Sequence, residues 1–189
     1  IKDLDRSSPY YKYFFSSDIP DNNILNKTIG VMSCSKGCIG RCTFCHRFIS
    51  GIRFVPPEIV ISRIREMIDR FNIGAIAFAD ECFGARKKWL YRFCELIKPL
   101  DILWKVGGMR VDMVNQDIIS MMKDSGCRSI IYGLETGSEK NLGVMEKKVS
   151  IENNLNAVKW TVNAGLLSTP ALVIGMPGET NETIIETAT

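Results

Sequence analysis

Cys38-Ile-Gly-Arg-Cys42-Thr-Phe-Cys45 sets three thiols at CxxxCxxC spacing just after a strand-like run, Thr28-Ile-Gly-Val-Met-Ser33. Three thiolates can hold three irons of a [4Fe–4S] cube and leave the fourth iron without a protein ligand, whereas most structural clusters take four cysteines. An open iron, like the open position of a catalytic zinc, is where a small molecule can bind and react. Gly37 and Gly40 relieve backbone crowding in such a loop. Phe44, between the second and third thiols, is placed to shield a cluster from water.

Other readings of the thiols are weaker. A zinc site needs a fourth ligand, and His46 directly follows Cys45, which makes joint ligation awkward. A disulfide framework conflicts with seven cysteines, an odd number, and with the absence of a secretory signal. Cys34, Cys82, Cys94 and Cys127 are scattered and read as small buried hydrophobes, with Cys82 singled out by its acidic neighbours.

Working outward, short apolar runs alternate with amphipathic helical patterns. Strands are expected near 28–34, at Ala75–Ala79, Ile102–Val106 and Ser129–Gly133, and at Pro170–Gly175. A helix opens at Pro56-Pro57, with Ile59, Ile64, Met67, Ile68 and Phe71 near one face. A second helix over 86–98 turns Leu90, Phe93, Cys94 and Ile97 inward, and Pro99 stops it. Further helices run over 115–125, ending at Gly126, and over 151–164, entered at Ser150 and closed by Gly165. Repeated strand–helix–strand units predict an α/β fold with a parallel sheet. Barrel-type α/β folds carry their chemistry on the loops after the strand C-termini. The three thiols, Asp80-Glu81-Cys82, Gly107-Gly-Met-Arg110, Glu135-Thr-Gly137 and Gly175-Met-Pro-Gly-Glu-Thr180 all fall there.

Length suits one domain, and 46% hydrophobic residues suffice for a sizeable core. A net charge of +3, spread along the chain, supplies no dedicated nucleic-acid surface. No apolar run reaches the ~18 residues of a membrane span. Unpatterned cysteines and an oxygen-sensitive motif point to a reducing compartment, the cytoplasm. Residues 1–27, with Pro9-Tyr-Tyr-Lys-Tyr-Phe-Phe15, read as a linker that packs by its aromatics. Ile1 is not a methionine, and Asn181–Thr189 reads as a helix without a stop signal. Both ends are therefore expected to be cut from a longer protein.

The chain resembles the radical S-adenosylmethionine (SAM) core of the large subfamily that carries a cobalamin-binding domain. The stretches that carry the resemblance are Ser35–Cys45, Phe78-Ala-Asp-Glu-Cys-Phe83, Trp104-Lys-Val-Gly-Gly-Met-Arg110, Tyr132-Gly-Leu-Glu-Thr-Gly-Ser138 and Ile174-Gly-Met-Pro-Gly-Glu-Thr180, spread over residues 28–189. The resemblance implies a partial (β/α)6 TIM-type barrel, here truncated to about five strands. It implies that Cys38, Cys42 and Cys45 ligate the cube while the methionyl amine and carboxylate of SAM chelate the open iron. Asp80 and Glu81 fall where the family contacts the methionine amine. A common Gly-Gly-Glu is absent, so the resemblance does not choose between them. Arg110 would pair with a carboxylate, Glu135 would accept from ribose hydroxyls, and Ile174-Gly175 would present backbone to adenine.

The implied chemistry is reductive cleavage of SAM to a 5′-deoxyadenosyl radical, fed by a reductant such as flavodoxin or ferredoxin and acting on a small-molecule substrate. Cobalamin would be held by a domain preceding residues 1–27, and the outcome would be methyl transfer. Two rivals stand beside this reading. One is a transfer-RNA methylthiotransferase, which would add a second cysteine cluster and a basic domain. The other is a non-catalytic iron–sulfur or zinc protein, which would not bind SAM.

Overall fold

The computed structural model describes residues 27–46 and 49–189. Almost all of the aromatic linker lies outside them. Five parallel strands form one sheet in the order β1 (Thr28–Met32), β4 (Ile73–Phe78), β5 (Leu103–Met109), β6 (Cys127–Glu135), β7 (Leu167–Leu172). Among the described residues the sheet is open, with β1 and β7 at its edges. A two-stranded antiparallel hairpin, β2 (Ser35–Cys38) with β3 (Gly51–Phe54), follows directly on β1 and was not expected from the sequence. Its strands are too short to show a period of their own.

The helices between strands are α1 (Pro57–Phe71), α2 (Lys87–Ile97), α3 (Gln116–Asp124), a short α4 (Glu139–Val144), α5 (Ile151–Asn163) and α6 (Asn181–Ala188). Their ends follow local chemistry. Pro57 begins α1, where a missing N–H costs nothing, and Asn72 closes it in the left-handed region at φ 50°. Asn115 caps α3 by accepting from the Ile118 N–H at 2.9 Å, and Ser150 caps α5 in a reciprocal pair with Asn153. Pro99 does not stop the chain's helical course at once, because a 3-10 turn over Lys98–Leu100 extends α2.

The core lies between the sheet and its helices. β4 is buried along its whole length, as a central parallel strand covered on both faces should be. Phe78, Phe83, Trp89, Phe93 and Trp104 form one aromatic cluster, with Phe93 edge-on to Phe78 at 5.3 Å and to Trp104 at 5.4 Å. On α2 the expected inward residues Leu90, Phe93, Cys94 and Ile97 are buried. On α1 Ile64, Met67 and Ile68 face the core as expected, and Ile59 and Phe71 do not. Val60, Ile61 and Ile64 pack inward, while Ile59 is 47% and Phe71 55% exposed. The last strand also shifts, to Leu167–Leu172 in place of 170–175. Pro170 lies inside it rather than at its start, which an edge strand tolerates because a missing ladder donor can face outward. No described helix is long and apolar enough to cross a membrane.

Candidate functional site

The C-terminal ends of β1, β4, β5, β6 and β7 form a rim, and the cysteine loop stands on it. Cys38 is the last residue of β2, and Cys42 and Cys45 follow in the loop before β3. The loop is pinned at a distance. The Thr43 N–H donates to the Met145 carbonyl at 2.9 Å and its hydroxyl to the Val144 carbonyl at 3.0 Å. The Gly40 N–H donates to the Cys38 sulfur at 3.3 Å. Cys38 and Cys42 are half-buried, and Cys45, Phe44 and His46 are exposed.

Asp80 and Glu81 are adjacent in sequence but serve different ends. Asp80 is buried, and its carboxylate accepts from the Ser35 N–H at 2.5 Å, from the Cys34 N–H at 3.2 Å and from the Ser35 hydroxyl. It therefore clamps the turn between β1 and β2. Glu81 is exposed and close enough to Cys38 to oppose its ionisation. The remaining neighbour, Cys82, is fully buried and hydrogen-bonded to Cys38. That bond lowers the Cys38 thiol to about 6, helped by the Gly40 N–H and the Arg110 charge against the effect of burial. Its counterpart is a Cys82 thiol pushed up by the same bond and by burial.

Gly108 brings β5 against this turn. A Cβ there would lie 2.2 Å from the Asp80 carbonyl oxygen, and its φ of 64° suits glycine. Arg110 follows, buried, with Nε and Nη2 each 2.9 Å from an Asp112 oxygen and Nη2 also donating to the Lys147 carbonyl at 3.0 Å. Nη1 points to the cysteine loop, 3.0 Å from where a Cβ on Gly40 would stand. The arginine thus pairs with Asp112 and also presents a charge to Cys42 and Cys38.

Glu135 ends β6 at φ 70°, which turns its side chain back over Gly133. There Oε1 meets the buried Lys147 ammonium at 2.5 Å, and the same nitrogen donates to the Gly133 carbonyl at 2.6 Å. Lys147 is a rim residue that sequence reading missed. Beyond β7, Ile174 is 74% exposed, and the Gly175 N–H donates to a Glu179 oxygen at 2.6 Å. That bond and the Lys140 bond to the Gly178 carbonyl hold the 175–179 loop.

Among the described residues no three His, Cys, Asp or Glu side chains stand together as ligands of one ion. The donor set on the loop is three soft thiols, the ligand type that iron–sulfur clusters take.

A model of the radical SAM superfamily matches residues 32–189. The anaerobic magnesium-protoporphyrin IX monomethyl ester cyclase of Rubrivivax gelatinosus is 27% identical over 99% of the chain and 34% of its own length. An uncharacterized methyltransferase of Pyrococcus horikoshii is 31% identical over 82% of the chain and 35% of its own length. The threonylcarbamoyladenosine tRNA methylthiotransferase of Bacillus subtilis is 25% identical, covering 90% and 40%. Among solved structures, the cobalamin- and [4Fe–4S]-bound radical SAM methyltransferase TsrM of Kitasatospora setae superposes with a TM-score of 0.77 at 16% identity, over 86% of the chain and 32% of that protein. The chain spans about a third of the length of the first two relatives.

Proposed function

The chain belongs to the radical SAM superfamily, and from that premise we propose that it is the core of a cobalamin-dependent methyltransferase acting on a small molecule. A [4Fe–4S] cluster held by Cys38, Cys42 and Cys45 would supply the electron that splits SAM into methionine and a 5′-deoxyadenosyl radical. The chain's own residues bind, orient and exclude water. Phe44 covers the cluster side of the loop. Glu81, exposed where Asp80 is not, meets the methionine amine. Arg110 offers Nη1 to an anion beside the thiols. Glu135 accepts from ribose hydroxyls through Oε2, the oxygen that Lys147 does not hold. Ile174-Gly175 would offer backbone to the adenine. Residues 28–189 form the core, a cobalamin domain belongs to the whole protein, and a small reductant protein such as flavodoxin or ferredoxin delivers the electron.

One observation carries this reading: a three-thiol loop on the strand-end rim with a buried arginine turned toward it. The full-length protein, reconstituted anaerobically and reduced, should convert SAM to methionine and 5′-deoxyadenosine. A reduced, cluster-loaded sample that leaves SAM intact would overturn the reading. The Bacillus subtilis relative favours one alternative, methylthio transfer to RNA. Bound cobalamin and a methylated small product support the first reading; sulfur carried into transfer RNA supports the second.

A further inference from the structure

Lys147 is a buried charged side chain on the rim to which the proposed chemistry gives no task. It is 4% exposed, a rare setting for lysine unless it is paired. Its neighbours Glu146 and Lys148 both adopt left-handed backbone, at φ 49° and 58°. Left-handed backbone is strained for residues other than glycine, and such strain persists where the surroundings over-determine it. The double kink turns the Lys147 side chain inward onto Glu135 and the Gly133 carbonyl, while its own carbonyl takes Arg110 Nη2 at 3.0 Å. One residue thus ties the end of β6 to the arginine that faces the cysteines. Buried ion pairs are weak sources of stability compared with apolar packing, and their better use is to fix orientation.

We infer that Lys147 is a positioning residue for the nucleoside end of the SAM site: it holds Glu135 Oε1 so that Oε2 is presented to ribose hydroxyls. The inference rests on the reading of Glu135 given above. Gly133 belongs to the same device, because a Cβ there would lie 2.3 Å from Oε1 and 2.9 Å from the ammonium.

The test uses the full-length, cluster-loaded protein and equilibrium dialysis of SAM and of 5′-deoxyadenosine, with iron content as the control. Lys147→Met and Glu135→Gln should each weaken both ligands by roughly tenfold or more while iron content stays at the wild-type level. The double variant should bind no more weakly than Glu135→Gln alone, since one residue acts through the other. Gly133→Ala, which keeps both charges but parts them, should reproduce the loss and covers the case in which Lys147→Met does not fold. Wild-type affinity in Lys147→Met, or losses that multiply in the double variant, would overturn the inference. Failure of the wild-type protein to bind SAM would bring down the reading of Glu135 and the inference with it.

Discussion

The Asp80 carboxylate accepts the Ser35 N–H at 2.5 Å and the Cys34 N–H at 3.2 Å, so the acid after β4 fixes the turn that launches the cysteine hairpin. Asp80→Ala would take the acceptor from three donors, the Cys34 and Ser35 N–H groups and the Ser35 hydroxyl, at about 1–3 kcal/mol for each left buried and unpaired. Urea unfolding, followed through the tryptophans Trp89 and Trp104, should give an unfolding free energy lower by an amount of that order and a correspondingly lower midpoint. Glu81→Gln should leave the midpoint unchanged and weaken SAM. An unshifted midpoint in Asp80→Ala would show that the clamp contributes nothing.

Gly108 is a second point of strain on the same turn. A methyl there would meet the Asp80 carbonyl at 2.2 Å and the Glu81 carbonyl at 2.9 Å, with φ at 64°. Backbone cannot give as a side-chain tip can. Gly108→Ala should therefore cost more than the ~1 kcal/mol of an ordinary left-handed alanine. The same urea titration checks it, and a loss below that figure would mean the loop shifts freely.

The parts of this fold that were legible in sequence have short-range causes. α2 was legible because Leu90, Phe93, Cys94 and Ile97 recur at helical spacing, and all four are buried. The ends of α5 were legible because both causes are local: the Ser150 hydroxyl caps the first turn, and Gly165 takes left-handed backbone just past the last one. The α1 face was legible at Ile64, Met67 and Ile68 but not at its start, because three apolar residues in a row, Ile59, Val60 and Ile61, leave the periodicity without a choice there. The two roles that eluded the sequence depend on distant partners. Asp80 answers to Ser35, and Lys147 to Glu135, and neither pairing has a local signature. The thiol loop was visible by spacing, but its bond to Met145 and its facing arginine are tertiary facts.

Stability should fall above pH 9. Burial raises Cys94 from its ordinary 9.0 to about 11, and it also raises Cys127. The unfolded chain loses these protons near pH 9 while the folded chain keeps them, so each thiol removes about 1.4 kcal/mol per pH unit over the window between its two values. Lys105 acts in the opposite sense. Burial lowers it from 10.5 to about 8, so the unfolded state holds its proton longer and stability rises with pH between those values. Cys34 and Cys82 are raised as well, so four thiols stand against one lysine, and the melting temperature measured from pH 8 to pH 10.5 should decline above pH 9. Cys94→Ala should flatten that decline, and an equal slope in the variant would contradict the assignment.

The central claim is that Cys38, Cys42 and Cys45 hold a [4Fe–4S] cluster with an iron open to SAM. Electron paramagnetic resonance of the reduced, anaerobically reconstituted full-length protein tests it most directly, with and without SAM and beside Cys42→Ala. A [4Fe–4S] signal that changes on addition of SAM and is lost in the variant is expected. A cluster signal indifferent to SAM in a folded sample, or one that survives Cys42→Ala, would contradict it.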